Sequence, residues 1–442
     1  MKVRDQVMQS KPQQQEAVPL RSFVPSVLRE APSVALRQPR GTVLIVAVGV
    51  MIVLAGLVLV FARQVRVEAL ASGNLLASVQ ADAVVTGAAQ YVANCLVNNT
   101  DQTTLDSEIQ AEAVPLGDGL FWLIRPNPDD ERQYSYGVVD EASKLNIRTA
   151  TVDMLLCLPN MTPELAACIV DWQSPPNSPV TDGGGAKDEY YLQLPEPYNC
   201  KNAPFETLDE LLLVKGATRE LLYGVDANRN GVVDEDEATQ QGPVISFNGQ
   251  SQCGVCKYMT VYSVAPGQAQ PGSPASPTPT KSSPTPAKSS PTPAKSTKQL
   301  APPVVGRINV NTAPREVLLC LPGLMESDVD LIIAARTASG PDLSNPNWVA
   351  EVLPAATARM IMGLITTQSY QFSADIVAVT GDGRGFKRVK YVFDLRTTPL
   401  RILYCKDLTH LGWPLSAEIR EALRAGKPVF QSSQNSFSLE RR

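Results

Sequence analysis

Arg40-Gly41-Thr42-Val43-Leu44-Ile45-Val46 opens the stretch that decides the fold. From Thr42 to Ala62 run twenty-one uncharged residues, most of them Val, Leu or Ile. A helix of about 20 residues at ~1.5 Å rise covers the ~30 Å core of a bilayer, so this stretch is long enough to span one. The preceding residues carry seven Lys/Arg (Lys2, Arg4, Lys11, Arg21, Arg29, Arg37, Arg40) against three acids. Positive charge is retained on the cytoplasmic side, which sends everything after Arg63 across the membrane. No small-residue cleavage site follows the apolar run, unlike an ordinary secretory peptide. A basic leader ending in Gly41 ahead of an apolar helix that starts at Thr42 is the layout of a prepilin-type signal and fits better than a plain single-pass anchor.

Composition narrows the function classes. The 442 residues leave room for two or three domains. Net charge is −5, and without residues 1–41 the chain keeps 32 basic against 41 acidic residues, a net of −9. That balance argues against a nucleic-acid partner, whose phosphates require a basic face. The single histidine, His410, excludes two-histidine catalytic arrangements and most zinc sites. The eight cysteines are compatible with disulfides in an exported domain. Cys200 with Cys253 or Cys256, and Cys157 with Cys168, are candidate pairs among 105 connectivities of eight cysteines. No Gly-x-Ser-x-Gly elbow, His-Glu-x-x-His or nucleotide loop occurs, and no enzymatic activity is expected.

Behind the span, Arg63 to about Val97 contains no proline and repeats small and apolar residues at helical spacing. A single helix from Thr42 is expected. Gly119–Arg125 and Gln133–Asp140 read as strands of a hairpin, being rich in aromatic and β-branched residues. Helical patterning follows to about Gln252. The segment 266–303, with eleven prolines in 38 residues, reads as an extended spacer. After a second helical block, strands are expected at Gln371–Val379, Phe386–Leu395 and Leu400–Lys406, the first two joined by the turn Gly381-Asp-Gly-Arg-Gly385.

An internal repeat links the two helical blocks. Lys144-Leu-Asn-Ile-Arg-Thr-Ala…Leu155-Leu-Cys-Leu-Pro159 matches Arg307-Ile-Asn-Val-Asn-Thr-Ala…Leu318-Leu-Cys-Leu-Pro322 at a constant offset of 163. Each copy reads as a helix-hairpin-helix. DNA-binding hairpins of this kind use a Gly-apolar-Gly turn whose N–H groups face a phosphate. The turns here, Asn160-Met-Thr162 and Gly323-Leu-Met325, lack that pair of glycines. A membrane-anchored DNA-uptake protein is therefore the weaker alternative, and helix packing the better reading.

The strongest chemical signal is Asp226-Ala-Asn228-Arg-Asn230-Gly231-Val232-Val-Asp234-Glu-Asp-Glu237. Oxygen ligands fall at loop positions 1, 3, 5, 9 and 12 (Asp226, Asn228, Asn230, Asp234, Glu237), with Val232 offering its carbonyl at position 7 and glycine at position 6. This is the EF-hand spacing, suited to Ca²⁺, which takes six to eight hard oxygens. Gly224 ends the preceding helix early, so a structural calcium site is expected rather than a sensor. A second cluster, Asp171 with Asp182, Asp188 and Glu189, fits no ligand loop and reads as solvated surface.

Together these features resemble the type II secretion minor pseudopilins of class K, general secretion pathway protein K. The resemblance rests on the prepilin-type junction, the segments at 144 and 307, Asn202-Ala-Pro-Phe-Glu-Thr-Leu-Asp-Glu-Leu211 running into Val214-Lys-Gly216, and the terminal strands. It implies an α+β, pilin-like fold: a long N-terminal helix over an antiparallel β-sheet, with a large inserted α-helical domain. The implied division is a cytoplasmic leader (1–41), the membrane part of the helix (42–62), its remainder with the first strands (63–142), an inserted helical domain with the calcium loop (143–265), a linker (266–303), a second helical block (304–367), and C-terminal strands with a tail (368–442). It also implies cleavage by prepilin peptidase and residence in the inner membrane with a periplasmic domain. Minor pseudopilins of classes I and J at the pseudopilus tip are the implied partners. Cleavage would make Val46 the fifth mature residue, where major pseudopilins carry glutamate and class K does not. Calcium binding is a family property too, but the usual carboxylate run is degraded here to Asp171-Trp-Gln-Ser-Pro-Pro176, leaving the Asp226 loop as the better site.

Overall fold

The computed structural model describes residues 42–99, 109–127, 133–233, 237, 254–267, 301–338, 342–427 and 429. The chain divides into two compact units, Met1–Glu68 and Ala69–Arg442. One helix, α1 (Thr42–Asn98), runs through 57 residues as the proline-free sequence requires. Within the first unit its described residues, from Thr42 to Glu68, are all exposed, and this stretch is long and apolar enough to cross a membrane.

Within the second unit the character of α1 changes. Ala77, Ala81, Val84, Val85, Ala88, Val92 and Leu96 are buried, and their spacing of three and four places them on one face. Small residues there let the helix lie close on its neighbours. A Cβ on Gly119 would stand 2.7 Å from both Val84 Cγ2 and the Val379 carbonyl oxygen, so only glycine fits between helix and strand.

After α1 come β1 (Val114–Leu116), β2 (Gly119–Pro126), β3 (Tyr134–Tyr136) and β4 (Val139–Asp140). The chain then leaves for a long insertion. Its first half holds β5 (Leu145–Asn146), α2 (Val152–Leu156), α3 (Pro163–Gln173), α4 (Asp188–Tyr191), α5 (Arg219–Tyr223) and β6 (Met259–Thr260). β7 (Val264–Gly267) and β8 (Ala301–Val305) pair antiparallel, so both ends of the proline-rich segment are held in a two-stranded ribbon; its middle lies outside the described residues. The second half holds β9 (Ile308–Asn309), α6 (Arg315–Leu318), α7 (Glu326–Thr337), α8 (Trp348–Val352), α9 (Ala355–Ile361) and β10 (Ile365–Thr366). Both halves share one hydrophobic core, in which Leu145, Leu165, Ile169, Phe205 and Tyr258 meet Ile308, Val317, Leu318, Val329 and Ile332.

The two segments of the sequence repeat carry elements in the same order, and each opens on a two-residue strand ahead of the helix expected from its Thr-Ala step: Leu145–Asn146 pairs parallel with Met259–Thr260, and Ile308–Asn309 pairs parallel with Ile365–Thr366. The partners lie far along the chain, beyond the reach of local pattern.

The chain returns through β11 (Gln371–Val379), β12 (Phe386–Asp394) and β13 (Arg401–Asp407), within a residue of the expected strands, and ends in α10 (Ala417–Arg424). A seven-stranded antiparallel sheet forms in the order β1-β2-β11-β12-β13, with β3 on β2 and β4 on β11. β2 lies beside β11, with Trp122 opposite Val377, so everything between them in sequence is an insertion into the sheet. Alternation along β11 sets its two faces. Phe372, Ala374, Ile376 and Ala378 meet the α1 stripe, while Val377 and Val379 meet Trp122, Leu415 and Leu423 on the other side.

Candidate metal centre

The loop from Asp226 is set up by its neighbours. α5 begins at Thr218, whose Oγ1 accepts a hydrogen bond from Leu221 N (3.2 Å), and ends at Gly224 in a positive-φ conformation. Asp226, Asn228, Asn230 and Val232 are all buried. Asp226 accepts from Asn230 N (Oδ1, 3.1 Å) and Gly231 N (Oδ2, 2.8 Å). Asn228 Oδ1 also accepts from Asn230 N (2.9 Å), and Asn230 Oδ1 accepts from Val232 N (2.8 Å). These successive side-chain-to-backbone turns curl the loop around its own oxygens. Gly231 has φ 86°, and a Cβ there would meet Pro126 Cγ at 2.6 Å.

Glu237 closes the loop. Its Oε1 accepts from Ala227 N (3.0 Å) and Asn228 N (3.1 Å), which brings the position-12 carboxylate back to positions 2 and 3. Burial pushes the Asp226 carboxyl up to about 7; the Gly231 and Asn230 N–H groups work against this, and the Glu237 charge adds to it. Two carboxyls brought together in a buried loop are what a divalent cation relieves. The structure thus joins five of the six expected ligand residues, Asp226, Asn228, Asn230, Val232 and Glu237. Asp234 lies outside the described residues, as does Gly41 of the processing junction, while Thr42 is the first residue of α1.

Sequence reasoning missed what fastens this loop. Arg388 of β12 is fully buried. Its Nε and Nη2 donate to Asp375 (2.9 and 2.7 Å), Nη2 also to the Arg229 carbonyl (2.8 Å) and Nη1 to the Asn228 carbonyl. Asn230 Nδ2 donates to the Pro414 carbonyl (2.9 Å). The loop is therefore pinned to the sheet at positions 3 and 4 and to the segment after β13 at position 5. Its Arg229 lies 3.5 Å over the Tyr223 ring and 3.7 Å from Asp209, which also takes Lys406 of β13. No local motif encodes these contacts, because the partners come from strands that follow the proline-rich segment.

The second oxygen cluster does not converge. Asp171 is buried and accepts from Thr181 N and Oγ1, against the expectation of solvated surface, whereas Asp182 and Glu189 are exposed. Beside Asp171 a cation is already built in: Lys187 Nζ donates to the carbonyls of Asp171 (3.0 Å), Ser174 (3.1 Å) and Pro175 (3.1 Å). The disulfide expectation is corrected as well. Among the described residues seven cysteines are free thiols, including Cys157, Cys168, Cys200 and Cys256, and Cys253 lies outside them. Cys168 Sγ donates to Gly184 O and Cys157 Sγ to Asp153 O, each thiol facing its own carbonyl.

One comparison with known proteins falls on the first part of the inserted block. Residues 139–225 match the model of the first domain of "Type II secretion system (T2SS), protein K". Among solved structures, the chain is similar to one from the GspK-GspI-GspJ complex of the enterotoxigenic Escherichia coli type 2 secretion system, at 14% identity and a TM-score of 0.41, covering 74% of this chain and 95% of that one. No curated protein gives a significant match. The matched segment begins at β4 and ends at Val225, one residue before the candidate calcium loop.

Proposed function

We propose that this protein is a non-enzymatic minor pseudopilin, cut between Gly41 and Thr42 by prepilin peptidase and held in the inner membrane with its second unit in the periplasm. It assembles at the tip of a type II secretion pseudopilus with minor pseudopilins of classes I and J. The observation that carries this reading is the protein K match over 139–225, set within a sheet whose other components are a long helix with an uncovered apolar first half and C-terminal strands. An apolar stretch with no protein cover is at home in lipid and against other such helices. The two hairpin-like repeats serve as packing units, consistent with their shared core.

Amino-terminal sequencing of the membrane-extracted protein tests the processing step. Thr42 as first residue supports it, and an intact Met1 overturns it. Gly41→Ala should abolish the shorter product. Co-purification of the processed chain with class I and J pseudopilins tests the assembly role.

The Asp226 loop is the calcium site of this reading, structural rather than regulatory. Asp226, Asn228, Asn230 and Glu237 would hold the ion through side-chain oxygens, with Val232 adding its carbonyl and Asp234 completing the set. The support is the loop's hydrogen-bonded curl and the meeting of Asp226 with Glu237. Calcium should raise the melting temperature of the wild type and not that of Glu237→Ala; equal protection of both refutes the site.

A further inference from the structure

Between the insertion and the sheet lies a cavity of about 290 Å³, bounded on one side by the calcium loop and on the other by β11, β12 and β13. Several charged groups line it, and most are committed. Lys144 pairs with Glu141 (2.7 Å), Lys406 with Asp209, and Asp375 with Arg388. Lys390 is different. It stands on β12 opposite Asp375 of β11 and Lys406 of β13, both already engaged, and among the described residues it makes no hydrogen bond or ion pair. Lys390 is half-buried at the cavity wall; desolvation and repulsion from Lys144 and Arg388 disfavour its charge, while Glu141 and Asp375 attract it without forming an ion pair. An ammonium held only at a distance by its neighbouring carboxylates has room for a direct partner.

The cavity walls are largely aromatic and apolar: Tyr258, Tyr262 and Tyr404 line it with Leu222 and Val392, and the rings of Tyr262 and Tyr404 lie 5.7 Å apart. We propose that this cavity binds a small organic monocarboxylate, its carboxylate paired with Lys390 and its apolar body laid along Tyr262 and Tyr404. The charge sets the class. One ammonium without a direct ion pair matches one negative charge, whereas Glu141 and Asp375 nearby oppose a dianion. Phosphate recognition would draw on a forked guanidinium, and the two arginines lining the cavity are engaged, Arg125 with Ser135 and the Val138 carbonyl and Arg229 with Asp209 and the Tyr223 ring. The volume sits at the lower end for ligand pockets, which suits a ring-sized acid. This assignment is independent of the pseudopilin reading.

The test is isothermal titration of the full chain in detergent with benzoate and 3-phenylpropionate, alongside their neutral amides, inorganic phosphate and a blocked pentapeptide with one central glutamate. The acids should bind about tenfold or more tightly than the amides and than phosphate, the factor that ~1.4 kcal/mol makes. Lys390→Met should weaken the acids by about the same factor and leave the amides unchanged. It should also fold, since it breaks no hydrogen bond or direct ion pair. Acid and amide binding alike, or acid binding undiminished in Lys390→Met, overturns the proposal. So does absence of acid binding up to about 10 mM, or binding of the glutamate peptide alone. The acid-against-amide contrast needs no variant and stands whatever the substitution does to folding.

Discussion

Two neighbouring carboxylates serve the two copies of the internal repeat, in opposite ways. Asp140 holds the second copy: it accepts from Asn309 Nδ2 (2.9 Å), Thr312 Oγ1 (2.6 Å) and Ser369 Oγ (2.6 Å). Glu141 holds the first: it takes Lys144 Nζ (2.7 Å), Thr260 Oγ1 and, from β11, Ser373 Oγ (2.6 Å). Both side chains are buried, but only one faces cations. Burial raises Asp140 to about 6, with the hydroxyl and amide donors too weak to offset it. Burial pushes Glu141 the same way, yet Lys144 and then Lys390 outweigh it and hold the group at about 2. Adjacent residues thus anchor one copy through a charged partner and the other through uncharged donors to a carboxylate.

The largest expected effect comes from removing the charged anchor. Glu141→Gln leaves Lys144 and Lys390 facing each other without a counter-charge, and should cost about 3 kcal/mol at neutral pH in urea melts. The sign with pH follows from the lowered folded value. In the wild type this contribution is complete above about 4.5 and is lost as pH falls from there through about 2. The Gln variant should show a flatter acid limb. Equal acid sensitivity of the two proteins would remove Glu141 from its assigned role.

A smaller contrast separates the equivalent asparagines. Asn146 and Asn309 are both fully buried, and each accepts from the backbone N–H two residues on at 3.0 Å. Asn146 Nδ2 ends on Ser263, through its carbonyl and its hydroxyl, both at 3.0 Å, while Asn309 Nδ2 ends partly on the Asp140 carboxylate. At pH 7.5 Asn309→Ala should therefore cost about 2–3 kcal/mol and Asn146→Ala about 1–2, as hydrogen bonds to charge exceed neutral ones. The gap should narrow at pH 5. Folded Asp140, raised to about 6, takes up its proton before the unfolded chain does near 3.8, so wild type gains stability as pH falls between those values while the bond loses its charge. A gap that is the same at both pH values would contradict the assignment.

What sequence disclosed was whatever lies close along the chain. The 57-residue α1 follows from an absence of proline, the strands β11 to β13 from alternation, and the Asp226 loop from six ligand positions within twelve residues. What it hid were contacts made across the insertion. Arg388 reaches loop carbonyls about 160 positions away, and Ser373 reaches Glu141 across 232. The two-residue strands of the repeat were missed for the same reason, since Leu145–Asn146 carries no alternation of its own. The repeat itself was legible because identical residues recur at a fixed offset.

The finest contrast between the copies lies at their turns, where the same backbone is made from different residues. Asn160 at φ 60° occupies the position taken by Gly323 at φ 79°, and Thr162 the position taken by Met325. Thr162 Oγ1 caps α3 by accepting from Leu165 N (3.2 Å). Methionine has no oxygen to do this for α7, where only the return bond exists, from Met325 N to Asp328 Oδ2 (3.1 Å). Met325 is largely exposed, so replacing it sacrifices little packing. Met325→Thr should then raise stability by about 0.5–1 kcal/mol and Thr162→Ala lower it by about 1, the ordinary worth of an N-cap. Asn160→Gly should be nearly neutral or slightly unfavourable, because asparagine tolerates the left-handed region with little strain while glycine loses more chain entropy. If Met325→Thr brings no gain in thermal or urea melts, the two turns are not interchangeable, and the equivalence of the copies ends at their asparagines.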